Sequence, residues 1–168
     1  YRLTLSLLAS ALALLLALPT PARADWRSLT GPLPAPASIR FGWRISPDSQ
    51  YVVYVADAAV EGVNELYSVP IAGSTPVKLN PTLVTNGNVD RFAITPDSQY
   101  VIYTADQDVD NRLELYRVPI GGGAAVKLSG PMVAGGNVDV FKIDPDNVRV
   151  VYLADQTTNE VRELYSAP

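Results

Sequence analysis

The chain has 168 residues, 17 acidic against 13 basic, for a formal charge of −4, and contains neither Cys nor His. Its 48% hydrophobic content excludes a disordered polypeptide and its acidic balance argues against nucleic-acid binding, which needs a basic footprint. Without Cys or His there are no disulfides, thiol nucleophiles, thiolate or imidazole metal sites, nor the commonest general base.

The first segment reads as an address. Leu3 to Leu18 is a nearly unbroken apolar run, preceded by Arg2 and followed by Pro19 and Pro21. That is the order of a secretory signal, and the small residues of Ala22-Arg23-Ala24 place cleavage before Asp25. Residues 1–24 are therefore expected to be a signal peptide, leaving 144 residues with a charge of −6. A retained anchor is the rival reading. At about 1.5 Å per residue, however, the run reaches only ~24 Å, short of a ~30 Å hydrocarbon core. No Cys is present to carry a lipid. Stable membrane insertion after cleavage is not expected, and the location implied is exported, periplasmic or extracellular. The sequence opens on Tyr rather than Met, which suggests a natural start further upstream.

The remainder repeats itself with a period of 49 residues. Ile45-Ser46-Pro47-Asp48 recurs as Ile94-Thr95-Pro96-Asp97 and Ile143-Asp144-Pro145-Asp146. Ala56-Asp57 recurs as Ala105-Asp106 and Ala154-Asp155, and Glu65-Leu66-Tyr67 as Glu114-Leu115-Tyr116 and Glu163-Leu164-Tyr165. A period of about 20–50 residues marks a solenoid, propeller or array. The copies divide the chain into 39–87, 88–136 and 137–168, after an N-terminal segment 25–38.

Within the second copy, Val89 to Ile94 reads as a strand and Thr95-Pro96-Asp97-Ser98 as a tight turn, Pro pre-setting φ at its second position. Tyr100 to Ala105 is the second strand, Asp106 to Asn111 a polar hairpin loop and Leu113 to Val118 the third strand. Gly121-Gly122-Gly123 turns into a fourth strand, Ala125 to Leu128. Each copy is thus a four-stranded antiparallel meander with no room for a helix of ordinary length.

The second strands do not alternate. Tyr51-Val52-Val53-Tyr54-Val55-Ala56 is apolar on both faces, so each sheet must be covered on both sides. Radial stacking of four-stranded sheets, a β-propeller, achieves this. A β-sandwich is the structural rival, but it does not explain the fixed period. Ser28-Leu29-Thr30-Gly31-Pro32-Leu33 resembles Lys127-Leu128-Ser129-Gly130-Pro131-Met132, so Trp26 to Thr30 is predicted as an orphan outer strand. The all-β total is 12 strands, about three blades, an incomplete ring. Propellers usually have about four to eight blades, so three cannot close alone. Either a longer parent supplies the rest or two chains make a six-bladed ring, and exposed blade faces should self-associate.

At Ser46-Pro47-Asp48-Ser49, Ala56-Asp57, Leu66-Tyr67, Val77-Lys78-Leu79-Asn80 and their later copies, the chain resembles the exported TolB-like, WD-repeat-like (PD40-type) propeller family. It carries Ser where the family turn favours Gly, and Asn or Ser where the family favours Thr after Leu. The resemblance is to the propeller repeats alone, not to the amino-terminal α/β domain of the TolB protein. The resemblance implies a noncatalytic β-propeller scaffold binding a protein or small ligand. The alternative it implies is an accessory propeller of a prolyl oligopeptidase-like peptidase whose hydrolase domain would lie beyond Pro168.

Candidate sites are few, and no catalytic, cofactor-binding or metal residue is assigned. Asp106, Asp108 and Asp110 alternate like the opening of a calcium loop, but Arg117 stands where position twelve needs Glu, and the other copies keep only Asp57 and Asp155. An Asp-stabilised turn is the default. Glu65, Glu114 and Glu163 could suggest glycosidase carboxylates, but a repeat gives each one the same surroundings, which favours structural hydrogen bonding or an exposed edge. Asp90 and Asp139 stand near the start of inner strands and could line a channel. Tyr54, Tyr103 and Tyr152, with Tyr67, Tyr116 and Tyr165, are expected to pack between blades, as are Trp43, Phe92 and Phe141. Gly121 to Gly123 lacks the helix and Lys of a phosphate loop. The acidic hairpin loops should share a face with the inter-blade loop Ser129 to Asn137, and that face is expected to meet a cationic protein or small ligand.

Overall fold

A computed structural model describes residues 26–168. The expected signal segment, 1–24, lies outside these residues. The described residues contain eleven strands: β1 Ile39–Ile45, β2 Tyr51–Ala56, β3 Glu65–Pro70, β4 Val77–Lys78, β5 Val89–Ile94, β6 Tyr100–Ala105, β7 Glu114–Pro119, β8 Val126–Lys127, β9 Val138–Ile143, β10 Val150–Ala154 and β11 Glu163–Ala167. They form three antiparallel meanders, β1–β4, β5–β8 and β9–β11, hereafter blades 1, 2 and 3. Among the described residues there is no helix long and apolar enough to cross a membrane.

The first two strands of the middle copy fall where the sequence puts them, and the turn between them closes with the Ser98 amide donating to the Thr95 carbonyl at 2.8 Å. The Thr95 hydroxyl bonds the Asp97 carboxylate at 2.6 Å and accepts the Tyr100 amide at 2.9 Å. Ser46 and Asp48 repeat both contacts in blade 1, where the Ser46 hydroxyl and the Gln50 amide hold the Asp48 carboxyl below its ordinary pKa. Ser49, Ser98 and Asn147 take positive φ at the fourth turn position. The family preference for Gly there has this backbone cause.

The 49-residue period holds in sequence, but the strand pairing departs from it at one place. Val89 pairs with Ala105, whereas Ile39 pairs with Ala56, so β1 carries one residue more than β5 before Trp43 and Phe92 come into line opposite Tyr54 and Tyr103. Gly42, at φ +60°, lies inside this irregularity. The extra residue bulges the strand without disturbing the register that follows.

Blades stack face to face. Along β2, Val53 and Val55 point forward and join Leu66 and Leu79 in one core with Val89, Phe92, Val101, Tyr103, Tyr116 and Val118 of blade 2. Ile102 and Leu115 point forward from blade 2 into a second core with Val138, Val150, Tyr152 and Ala154 of blade 3. Each blade therefore has a forward aliphatic face and a rear tyrosine face. The unalternating strands are explained by covers of different character on the two sides.

Two expectations need correction. Residues 26–30 form no strand, so the described count is eleven rather than twelve. A ladder needs a hydrogen-bonding neighbour, and this segment has no third strand beside it. Its Leu29 nevertheless seats against Tyr54, Ala56, Tyr67 and Val69. Trp43, expected as core, is 64% exposed, whereas its equivalent Phe92 is 8% exposed. The rear face of blade 1 has no blade upon it, and all seven residues of β1 are exposed.

Candidate functional site

The hairpin loops between second and third strands lie on one face with the inter-blade loops, as the meander requires. The Val84 amide donates to the Gln107 carbonyl and the Val133 amide to the Gln156 carbonyl, both at 3.1 Å. Beneath these loops a repeated clamp is built from the aspartate that follows each second strand. One oxygen of Asp57, Asp106 and Asp155 accepts the amide of Ser38, Asn88 and Asn137, at 2.7, 2.5 and 2.6 Å. The other accepts the amide of Gly62, Asn111 and Glu160, at 3.3, 3.0 and 2.9 Å. The three donors Gly62, Asn111 and Glu160, each at positive φ in its hairpin loop, are thus tied to a buried carboxylate. The Ser38 amide, with Arg40 as ion-pair partner, holds Asp57 down at about 2, and the Asn137 and Glu160 amides hold Asp155 below its ordinary value.

The clamp leaves no space above Gly87 and Gly136. A Cβ on Gly87 would meet the Asp106 carbonyl at 2.8 Å, and one on Gly136 the Asp155 carbonyl at 2.6 Å. The next residue joins the blades. The Asn88 side chain accepts the Asn64 amide and that of Asn137 accepts the Leu113 amide, both at 2.8 Å. The Val89 and Val138 amides return bonds to the Asn64 and Leu113 carbonyls, at 2.9 and 2.8 Å. This link was not singled out in the sequence, although Gly-Asn-Val-Asp at 87–90 and 136–139 was the signal that could have found it.

The three alternating aspartates do not converge. Asp106 takes main-chain amides, Asp108 pairs with Lys127 at 2.8 Å and Asp110 accepts from Asn86 at 3.4 Å. Lys127 holds the Asp108 carboxyl below its usual range. Arg117 lies elsewhere, its guanidinium 4.9 Å above the Tyr100 ring. Among the described residues no cluster of three or more carboxylates is arranged to hold a metal ion.

The repeated glutamates are structural hydrogen-bond acceptors. Glu65 accepts from the Tyr67 hydroxyl and from Lys78, both at 2.8 Å, and Glu114 from the Tyr116 hydroxyl at 3.0 Å and Lys127 at 2.9 Å. Glu163 takes Tyr165 and Thr157 at 2.7 and 2.6 Å, which lowers its pKa. Burial, then the adjacent glutamate, pushes the Tyr67 and Tyr116 hydroxyls upward, so both remain protonated donors. The paired tyrosines stack at 5.6, 5.3 and 5.4 Å in the three blades and pack as blade surfaces, not as an exposed platform.

Asp90 and Asp139 occupy bulges at the start of β5 and β9. Asp90 pairs with Arg91 at 2.6 Å and Asp139 with Arg162. Asp90 borders a cleft of about 340 Å³ with Asn64, Asn88, Asn111 and Asn137. A second opening, about 600 Å³, lies between the loops around Val60–Val63 and Thr82–Asn86. The face can offer amide groups, backbone polar groups and a few exposed carboxylates. It presents less free negative charge than the sequence suggests, because Lys127, Arg91 and Arg162 neutralise part of it.

No family model matches the chain, and no curated protein matches it in sequence. Among solved structures it is similar to a TolB protein from Agrobacterium tumefaciens, with 16% identity and a TM-score of 0.52, over 74% of this chain and 43% of the other. The fold is that of a TolB-like propeller. TolB from Acinetobacter baumannii matches at 16% identity and a TM-score of 0.49, over 75% of this chain and 34% of its own. The chain spans less than half the length of these TolB structures.

Proposed function

We propose that this chain is a noncatalytic propeller scaffold of an exported protein, presenting its hairpin face to a protein or small ligand of cationic character. Its three copies act as rigid units, and its open blade faces self-associate. The observation that carries the reading is the clamp: buried Asp57, Asp106 and Asp155 spend their charge on main-chain amides. The loops are thereby fixed while Glu61, Asp108, Asp110 and Glu160 stand exposed upon them. Such a platform is preorganised for contact, which reduces the ordering cost of binding. The repeated glutamates, satisfied by tyrosine and lysine, support a structural role over a catalytic one.

The test is titration of an oligolysine peptide against the chain at low salt, comparing it with E61Q/D110N/E160Q. These substitutions leave the clamp intact. Affinity should fall several-fold, and unchanged binding would show that the contact surface lies elsewhere.

A further inference from the structure

Blades 1 and 2 share one hairpin backbone but furnish it differently. The Val63 amide donates to the Val60 carbonyl and the Arg112 amide to the Val109 carbonyl, both at 3.1 Å, and the residues before them, Gly62 and Asn111, both take positive φ. Positions 63 and 112 are equivalent by the 49-residue period, as are Glu65 and Glu114. In blade 2 the Arg112 side chain reaches Glu114, its buried Nε lying 4.0 Å from Glu114 Oε1. In blade 1 a valine replaces that arginine, and the space beside it belongs to the cleft of about 600 Å³ that Val63 and Glu65 border.

The facing wall of the cleft differs as well. Thr82, Thr85 and Asn86 stand exposed along it, where the next copy has Pro131, Ala134 and Gly135. Side chains that can donate and accept hydrogen bonds thus replace side chains that cannot. At the base, the Glu65 side chain is 6% exposed and receives Lys78 at one oxygen and the Tyr67 hydroxyl at the other. Each carboxylate oxygen therefore keeps acceptor capacity for a further donor. Glu61 adds an exposed carboxylate, and among the described residues no Lys or Arg borders the cleft. Its size falls within the about 300–1,000 Å³ common to ligand clefts.

We propose that this cleft takes the side chain of an arginine from a protein partner, its guanidinium held by Glu65, Glu61 and the Thr82 and Thr85 hydroxyls where blade 2 keeps its own Arg112. The inference rests on the cationic contact stated above and deepens it by naming the group recognised and its seat. A guanidinium presents its donors in a flat fork, whereas an ammonium gathers them around one point. Acceptors spread over two walls suit the fork. Val60, Val63 and Leu83 supply apolar surface for the methylene stem, which long basic side chains bury while their charged ends stay hydrogen-bonded.

Hexa-arginine and hexa-lysine carry equal charge, so the ratio of their affinities separates the cleft from the general field of the face. Titrated against the chain at low salt, hexa-arginine should bind at least ~fivefold more tightly. V63R gives blade 1 the residue that blade 2 holds on the same backbone, and should bring the two peptides to within ~twofold of each other. V109R places the same charge at an exposed position of the other hairpin and should preserve the ratio. T82A/T85A leaves the hairpin untouched, should lower the ratio at least ~twofold, and carries the test if V63R disturbs folding. Equal affinity of the two peptides for the unaltered chain, or a preference that survives both V63R and T82A/T85A, overturns the cleft while leaving a cationic contact on the hairpin face. Binding of neither peptide overturns that contact and the cleft with it.

Discussion

Leu115 and Leu164 stand at the same position of consecutive copies, yet the first is fully buried and the second 74% exposed. Phe92 and Trp43 differ in the same way. Sequence within a copy determines a blade and its two faces, whereas burial depends on whether a neighbour stands in front. A single blade of this kind has little core of its own, so the stacked interface is where its stability resides.

The largest expected effect separates those two leucines. Leu115→Ala should cost about 2–5 kcal/mol, as deletion of a packed core side chain does. Leu164→Ala should stay within about 0.5 kcal/mol in a dilute, monomeric sample. Urea denaturation of both variants measures the difference, and equal costs would break the comparison. The hairpin gives a second contrast. Asp106→Ala orphans the Asn88 and Asn111 amides and should cost about 2–3 kcal/mol, while Asp110→Ala on the same loop should be nearly neutral.

Acid should loosen the clamp in blades 1 and 3. Asp57, at about 2, and Asp155 have folded pKa values below the ordinary carboxylate value near ~3.9. A depressed folded pKa contributes stability that is present above the unfolded pKa and lost as pH falls through the folded one. Thermal midpoints should therefore be flat near neutrality and decline from about pH 5 towards pH 2, with a shallower decline in D57N. The smallest contrast is Ser129→Ala against Thr30→Ala. Only Ser129 caps a third-strand amide within the chain, that of Leu115, and its loss should cost about 1 kcal/mol. Thr30→Ala should leave the monomer's melting unchanged.

Much of this architecture was legible because it is periodic. The bounds of β5 and β6, the proline turn and the shared face of hairpin and inter-blade loops all follow from apolar runs and turn residues repeated in register. Two things were not. Trp43 and the segment 26–30 have the residues of a buried core and a strand, but coverage and pairing come from a neighbour that a repeat pattern alone does not locate. The site was less legible still. Asp106, Asp108 and Asp110 alternate in sequence, yet the positive φ of Asn111 folds Asp106 inward onto amides while Asp108 turns to Lys127. A motif counts carboxylates, but only the loop's backbone decides where each one points.

Amide hydrogen exchange on β2, β6 and β10 in a dilute monomer tests the stacking of blades most directly. The expected result is slowest exchange in β6, covered on both faces, faster exchange in β2 and β10, and a narrowing of that gap when the chain is concentrated. Uniform protection of all three strands in the monomer, or fastest exchange in β6, would contradict blades that owe their stability to their neighbours.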